Sequence, residues 1–317
     1  MTGPSTPAPR VGLSLTAAFL GVSAPNAASV VRAAAEAELD HIQIGDHISF
    51  HDGTGFDGLI HATAALAMQD RVPVSVGLYL LALRHPVAVA RQLADLERMF
   101  PGRLRLGVGV GGEDRHEFEV NGVDPRTRGR RTDESLTVLR RLLTGQPVTH
   151  HGEFFDLNEA VVLPAPVSPI PLVIGGRSDA ALRRTAHSGD GWLALWVSRG
   201  RYADALAEID AEAEACGRQV REWRHGLSLW CGVPGNDGHG RERLAAAMEE
   251  RYKMPFERFE RWCPVGEPAE IADFIGGYVD AGCSDVTLVL PAGSPADLIS
   301  SAAEIRQKVL DDRTVSQ

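Results

Sequence analysis

Positive charge is scarce in this 317-residue chain, and its scarcity narrows the range of partners. Lysine and arginine together number 32 against 42 acidic residues, which gives a formal net charge of −10 at pH 7. Nucleic acids and anionic membrane surfaces bind proteins through basic faces, so we expect neither as a partner. An acidic small molecule could still bind through a local cluster of arginines.

Cysteine is also sparse, and the N-terminus lacks a long apolar run. The four cysteines lie far apart and form no C-x-x-C pair, which argues against a disulfide framework, and we expect free thiols that are buried or half-buried. The first ten residues are rich in proline, serine and threonine and have no apolar core like that of a signal peptide. We interpret residues 1–9 as a flexible lead-in to a cytoplasmic protein.

Apolar runs with strand character alternate with segments of helical periodicity along the whole chain. The predicted strands lie within 11–15, 41–47, 72–83, 103–110, 171–176, 191–198, 226–234 and 284–293. Eight strand–helix units are typical of an α/β protein with a (β/α)8 TIM barrel, whereas an open doubly wound sheet usually has fewer. We therefore predict one barrel domain over residues 10–317, with a hairpin-like, proline-containing insertion around 146–170.

A glycine-rich turn follows the fourth predicted strand, within residues 103–118. Gly107, Gly109 and Gly112 match the G-x-G-x-x-G spacing of dinucleotide-binding proteins. That motif also needs an acidic residue about 20 positions later, at the tip of the next strand. The acids at this distance lie in a segment of helical periodicity, 128–143, so the dinucleotide interpretation fails.

Polar residues follow the second predicted strand, where a barrel would place its chemistry. They are Asp46, His47 and His51. An imidazole beside an acid can exchange a proton near neutral pH, which favours a catalytic interpretation. A turn that caps the next helix is a second interpretation, and a metal site built from the three residues is a third.

Two further features are compatible with an anionic ligand. Gly175, Gly176 and Ser178 stand at a predicted helix N-terminus, where free N–H groups suit a phosphate, although an ordinary strand-to-helix turn has the same pattern. A basic run could receive the acidic tail of a ligand or simply form a solvated helix face. Its members are Arg126, Arg128, Arg130 and Arg131.

Several segments together resemble the luciferase-like monooxygenase superfamily and, within it, the oxidoreductases that depend on the deazaflavin coenzyme F420. They are GDH at 45–47 and the stretches 83–118, 129–145, 151–157, 171–192 and 265–290. The resemblance runs from about residue 11 to about residue 310. It implies a bacterial luciferase-like (β/α)8 barrel with insertions and a deazaflavin at the barrel mouth.

The resemblance also implies which residues form the site. His47 matches the histidine that faces the reactive edge of the ring and is the expected acid or base, with Asp46 beside it. The Gly77–Leu78 link matches a cis peptide that supports the ring. Gly112 stands where the glucose-6-phosphate dehydrogenases have a catalytic glutamate, which argues against that substrate, and Glu113 is the candidate replacement. The expected cofactor-binding residues are Asp46, Gly77, Leu78, Gly109, Val110, Gly111, Gly112, Gly175, Gly176, Arg177 and Ser178.

The expected function is hydride transfer between C5 of F420 and a small organic substrate. F420 is favoured over FMN because its acidic tail would find a counter-charge in the arginine run. The alternatives are an FMN-dependent two-component monooxygenase, a metal-dependent barrel hydrolase and a protein that binds F420 without turnover. A homodimer is expected because dimers are common in the superfamily.

Overall fold

The computed structural model describes residues 8–16, 23–220, 222–235 and 238–315, so residues 1–7 of the predicted lead-in lie outside it. The strands are, in chain order, β1 Arg10–Ser14, β2 Ile42–Ile44, β3 His47–Phe50, β4 Thr54–Phe56, β5 Val74–Tyr79, β6 Leu104–Val108, β7 Val148–His151, β8 Asp156–Ala160, β9 Leu172–Gly175, β10 Gly191–Ala194, β11 Gly226–Trp230 and β12 Asp285–Val289. Eight of them close into a barrel in the order β1-β12-β11-β10-β9-β6-β5-β2. This arrangement confirms the predicted (β/α)8 fold.

Helices follow the barrel strands. They are α1 Ala24–Glu36, α2 Gly58–Met68, α3 Pro86–Met99, α4 His116–Val120, α5 Arg128–Leu142, α6 Asp179–Ser188, α7 Arg199–Ala215, α8 Gly240–Tyr252, α9 Pro268–Asp280 and α10 Pro295–Val315. Short 3₁₀ turns add Leu81–Leu83, Phe256–Arg258 and Glu260–Trp262. Within the described ranges, no helix is both long and apolar enough to cross a membrane.

Two small elements at the mouth differ from the sequence prediction. The segment after β2 does not turn directly into a helix, because β3 and β4 pair as an antiparallel hairpin. The turn of this hairpin holds His51 at φ 49° and Gly53 at φ 91°, and an Asp-Gly pair at 52–53 is the signal that favours such a turn. The five-residue helix α4 is too short to produce a periodic pattern.

The chain forms two compact units. The first consists of the described residues of 1–43, 193–211 and 222–317, and the second of 44–192 and 212–221. In the second unit β7 and β8 form their own antiparallel sheet, inside the segment predicted as an insertion. The assignment of residues 10–317 to one domain stays a prediction.

The first unit buries a histidine, His225, directly before β11. His225 is 5% exposed, and burial lowers its pKa to about 4. A histidine in an unfolded chain has a pKa of about 6.5. Between these values the unfolded chain binds a proton that the folded chain does not. The stability that neutral His225 contributes is therefore fully present above about pH 6.5 and is lost as the pH falls towards 4.

We expect the free energy of unfolding to fall by about 2 kcal/mol between pH 7.5 and pH 5 because of this one group. Urea denaturation at the two pH values measures the change. His225→Gln should remove most of the decline, whereas His151→Gln, at an exposed ring paired with Asp156, should keep it. An equal decline in wild type and His225→Gln would contradict the assignment.

Candidate functional site

Asp46 lies two residues beyond β2, and its side chain is completely enclosed. Oδ1 accepts hydrogen bonds from the backbone N–H of Gly58, at 2.9 Å, and from Arg84 Nη2, at 2.7 Å. Oδ2 accepts from the backbone N–H of Leu80, at 2.9 Å, and from Arg84 Nη1, at 2.6 Å. Asp46 thus joins the start of α2 to the end of β5. Both of its oxygens are occupied by the protein itself.

His47, the first residue of β3, is held by a second buried carboxylate. Its Nδ1 lies 3.1 Å from Oε2 of Glu117, a residue of α4 that is 2% exposed. Oε1 of Glu117 accepts hydrogen bonds from the backbone N–H groups of Ile48, at 2.6 Å, and Ser49, at 3.2 Å. The His47 ring also packs on Phe50, with 4.0 Å between the ring centroids. The imidazole is therefore fixed in position.

Glu117 is ionised in this setting. Burial by itself would raise the pKa of Glu117, but the hydrogen bonds from His47, Ile48 and Ser49 outweigh it and lower the pKa below its usual value. A carboxylate at Nδ1 favours the tautomer that carries its proton there. Nε2 is then the nitrogen that accepts a proton from a substrate.

Glu117 is a candidate site residue that could not be identified from the sequence. The expected glutamate, Glu113, is exposed in the turn before α4 and makes no hydrogen bond to any described residue. The structure brings Glu117 to His47 instead, four positions later. The contact spans 70 residues of chain, and no sequence pattern distinguishes these two acids.

The predicted cis link between Gly77 and Leu78 is confirmed. Leu78 is half-buried and packs into a hollow lined by glycines. A Cβ added at Gly109 would lie 2.9 Å from the Leu78 Cβ, and one at Gly107 would lie 3.2 Å from its Cδ2. At Gly175 an added Cβ would overlap the same side chain. These glycines make room for Leu78, and the expected cofactor-binding role of Gly109 and Gly175 stays a prediction.

The glycine turn after β6 meets an arginine. Gly111 has φ 62° and Gly112 has φ 130°, backbone conformations that favour glycine. A Cβ at Gly112 would lie 3.1 Å from Nη2 of Arg128. Arg128 donates from Nη1 to the carbonyl of Pro125, at 2.5 Å, but its buried Nε has no hydrogen-bond partner among the described residues. This unsatisfied nitrogen fits an anionic group of a ligand at the turn.

The other arginines of the run contact partners away from the glycine turn. Arg126 pairs with Asp124 at 2.8 Å, and Arg130 pairs with Glu153 at 2.8 Å. Arg131 donates to a backbone carbonyl and lies over an aromatic ring. The run is therefore not one basic cluster, and Arg128 alone among the four adjoins the glycine turn.

The turn after β9 leads into the predicted helix N-terminus. The Ser178 Oγ accepts from the backbone N–H of Ala181 at 3.3 Å, at the start of α6. Gly176 has φ 127°, and its carbonyl accepts a hydrogen bond from Trp192 Nε1 at 2.7 Å. Gly176 is half-buried, whereas Arg177 is exposed. The turn is accessible, although its serine is already used as a cap.

The three candidate metal ligands do not converge. Asp46 is occupied by Arg84, and the ring of His51 packs on Phe50 at 3.9 Å between centroids. Across the ranges that the structure describes, no group of three histidine, cysteine or acidic side chains is arranged to hold a metal ion.

Comparison with known proteins gives the following likenesses. Residues 9–285 match the model of a family described as luciferase-like monooxygenase. An uncharacterized protein of Mycobacterium tuberculosis is 39% identical over 145 residues, 45% of this chain and 50% of the relative, so the match spans about half of that relative's length. An F420-dependent glucose-6-phosphate dehydrogenase of Kineococcus radiotolerans is 27% identical over 293 residues, 81% of this chain and 85% of the relative.

A solved structure has the same fold. The F420-dependent secondary alcohol dehydrogenase in complex with an F420–acetone adduct superposes with a TM-score of 0.80 at 20% identity, and the match covers 95% of this chain and 99% of that one. At this identity the likeness concerns the fold.

Proposed function

Because the chain belongs to the luciferase-like monooxygenase family, we propose that it is an F420-dependent oxidoreductase acting on a small organic substrate. The observation that carries the proposal is the contact between His47 Nδ1 and buried Glu117, at 3.1 Å, just beyond the C-terminal end of β2. This end of a barrel is where such enzymes place their chemistry. The F420 dependence named for relatives supports the choice of cofactor.

The residues of the second unit fit a deazaflavin. Leu78 offers a half-buried apolar surface for a planar ring, held in place by the glycines around it. Arg128 beside Gly112 offers a guanidinium to the acidic tail. When bound, the deazaflavin supplies C5, the carbon that exchanges hydride with a substrate.

His47 handles the proton that accompanies hydride transfer. Oxidation of an alcohol to a carbonyl releases a hydride and a proton, and the Nε2 of His47 would accept that proton while Glu117 balances the positive charge. In the reverse direction the same nitrogen returns the proton to the oxygen. Asp46 is a positioning residue, because its hydrogen bonds join the end of β2 to the end of β5 and to the start of α2.

Fluorescence titration with F420, with FMN as control, tests the cofactor. We expect saturable quenching by F420 and weaker binding of FMN. Arg128→Leu should weaken F420 binding by about tenfold, because it removes one charge-assisted contact. The matched variant Arg126→Leu, at an exposed arginine paired with Asp124, should bind normally.

Tighter binding of FMN than of F420 would overturn the assignment and favour a flavin-dependent monooxygenase. Equal F420 affinity in Arg128→Leu and wild type would remove Arg128 from the cofactor site. Circular dichroism of both arginine variants checks that their folds are intact.

A further inference from the structure

Residues that are paired in register across neighbouring strands form what we call a level of the barrel. Four strand ends of the first unit share one level. The register of β1 with β2 pairs Ser14 with Gln43, and that of β11 with β12 pairs Trp230 with Val289. The register of β1 with β12 continues the level from Ser14 to Val289. All four residues lie at or next to the C-terminal ends of their strands.

The contacts one level below show which way these side chains point. Two positions earlier stand Gly12, His41, Ser228 and Thr287. His41 Nε2 lies 2.8 Å from Thr287 Oγ1, and a Cβ added at Gly12 would overlap the His41 ring, so these side chains share a face. The intervening positions are apolar and fully buried, as expected beneath helices: Val11, Leu13, Ile42, Val286 and Leu288.

Side chains alternate between the two faces of a strand. The level of Gln43 therefore faces the same way as His41 and Thr287, towards the interior of the barrel. Because it lies at the C-terminal ends of the strands, it belongs to the end of the barrel where a substrate enters.

Gln43 is unusual at this level. It is 7% exposed, yet its side-chain amide makes no hydrogen bond to any described residue; its backbone carbonyl accepts one from Leu15 N, at 2.9 Å. Neither amide atom of Gln43 is among the enclosed side-chain atoms that lack a partner in the described part of the chain, so the amide is open to solvent. A polar group of a ligand that displaces this solvent would complete the hydrogen bonding of Gln43.

The neighbours on the level define the chemistry of that group. Ser14 contributes a hydroxyl, which lies 3.3 Å from the Thr16 hydroxyl. Trp230 contributes a half-buried indole and Val289 an aliphatic side chain. None of these side chains is charged. The level suits an uncharged oxygen next to an apolar body and offers no cation to a phosphate.

We propose that Gln43 is a specificity-determining residue for a neutral substrate, an inference that rests on the proposed function. Its amide binds the hydroxyl or carbonyl oxygen of the substrate, and Trp230 packs against the apolar part. The substrate class is therefore an apolar alcohol or ketone, and a phosphorylated sugar is not a substrate.

A matched pair of probes tests the inference in F420-saturated protein. Benzyl alcohol and toluene share an apolar body and differ in one hydroxyl, and intrinsic tryptophan fluorescence reports their binding. We expect wild type to bind benzyl alcohol about tenfold more tightly than toluene and not to bind glucose 6-phosphate. Gln43→Met should lose the preference with toluene affinity unchanged, whereas Gln146→Met, at an exposed glutamine, should keep it.

Two further measurements separate binding from structure. Gln43→Met and Gln43→Leu should unfold close to the wild-type temperature, since neither removes a side-chain hydrogen bond to a described residue. A large drop in melting temperature in both would overturn the inference in favour of a structural role. Equal wild-type affinity for the two probes, or a preference kept in Gln43→Met, would also overturn it.

F420 titration of the same proteins keeps the two proposals apart. Gln43→Met should bind F420 within about twofold of wild type. If wild type itself fails to bind F420, the proposed function falls, while the probe preference, measured without cofactor, still tests Gln43.

Discussion

Replacing His47 with alanine should lower kcat by about 10²–10⁴-fold while the Kd for F420 changes by less than about threefold. In the proposed mechanism the imidazole exchanges the substrate proton, and its contact with Glu117 fixes its orientation. Turnover is followed by the absorbance of F420, with a neutral alcohol or ketone that wild type converts. The separation of kcat from Kd is expected because the proposed cofactor contacts are those of Leu78 and Arg128, which the substitution leaves in place.

His151→Ala is the matched control for this experiment, because that exposed imidazole also pairs with a carboxylate, Asp156, but lies on the β7–β8 hairpin. It should leave kcat unchanged. Glu117→Gln should retain part of the activity and alter the pH profile of kcat, since an amide cannot balance the charge of a protonated His47. Near-normal turnover in His47→Ala would exclude His47 as the acid or base.

Replacing Asp46 with alanine should lower the free energy of unfolding by about 3–5 kcal/mol. The substitution removes the bidentate partner of Arg84, which keeps only one carboxylate contact, with Asp57, at 3.2 Å, and the backbone N–H groups of Gly58 and Leu80 lose their acceptor. Burial lowers the pKa of Arg84, and it is chiefly Asp46 that raises it above its usual value. Without Asp46 the charge of Arg84 is poorly compensated.

Urea denaturation at pH 7.5 measures this loss, and Asp95→Ala serves as the control. Asp95 pairs with Arg91 at 2.7 Å on the surface of α3, and the Asp95 side chain is 59% exposed, so its removal should cost less than about 1 kcal/mol. The loss of unfolding free energy in Asp46→Asn should lie between those of Asp46→Ala and Asp95→Ala, because the amide oxygen still accepts a backbone hydrogen bond. Similar losses in Asp46→Ala and Asp95→Ala would contradict the structural role of Asp46.

The barrel could be predicted from the sequence because its signal is repeated. Each of the eight strands is a short apolar run and is followed by a longer helical segment, so an error in one unit would not change the fold class. The β3–β4 hairpin and helix α4 interrupt this repetition once, over a few residues each. They escaped prediction although they carry His47 and Glu117.

The candidate site was predictable only in part. Asp46 and His47 stand at a strand end and could be found from position alone. Glu117 could not, because its role depends on a contact with a residue 70 positions away. The packing role of Gly109 and Gly175 was missed for a similar reason, since the side chain for which they make room belongs to Leu78.

The packing of Leu78 against its glycines has a consequence for how this site can evolve. Adding a methyl group at Gly175 alone, or at Gly109 alone, produces an overlap, and shrinking Leu78 alone leaves a void. Each single step is unfavourable, whereas a smaller residue at 78 together with an alanine at 175 restores the packing. The surface formed by Leu78 and these glycines is thus subject to sign epistasis, and evolution or design can reshape it only by paired substitutions.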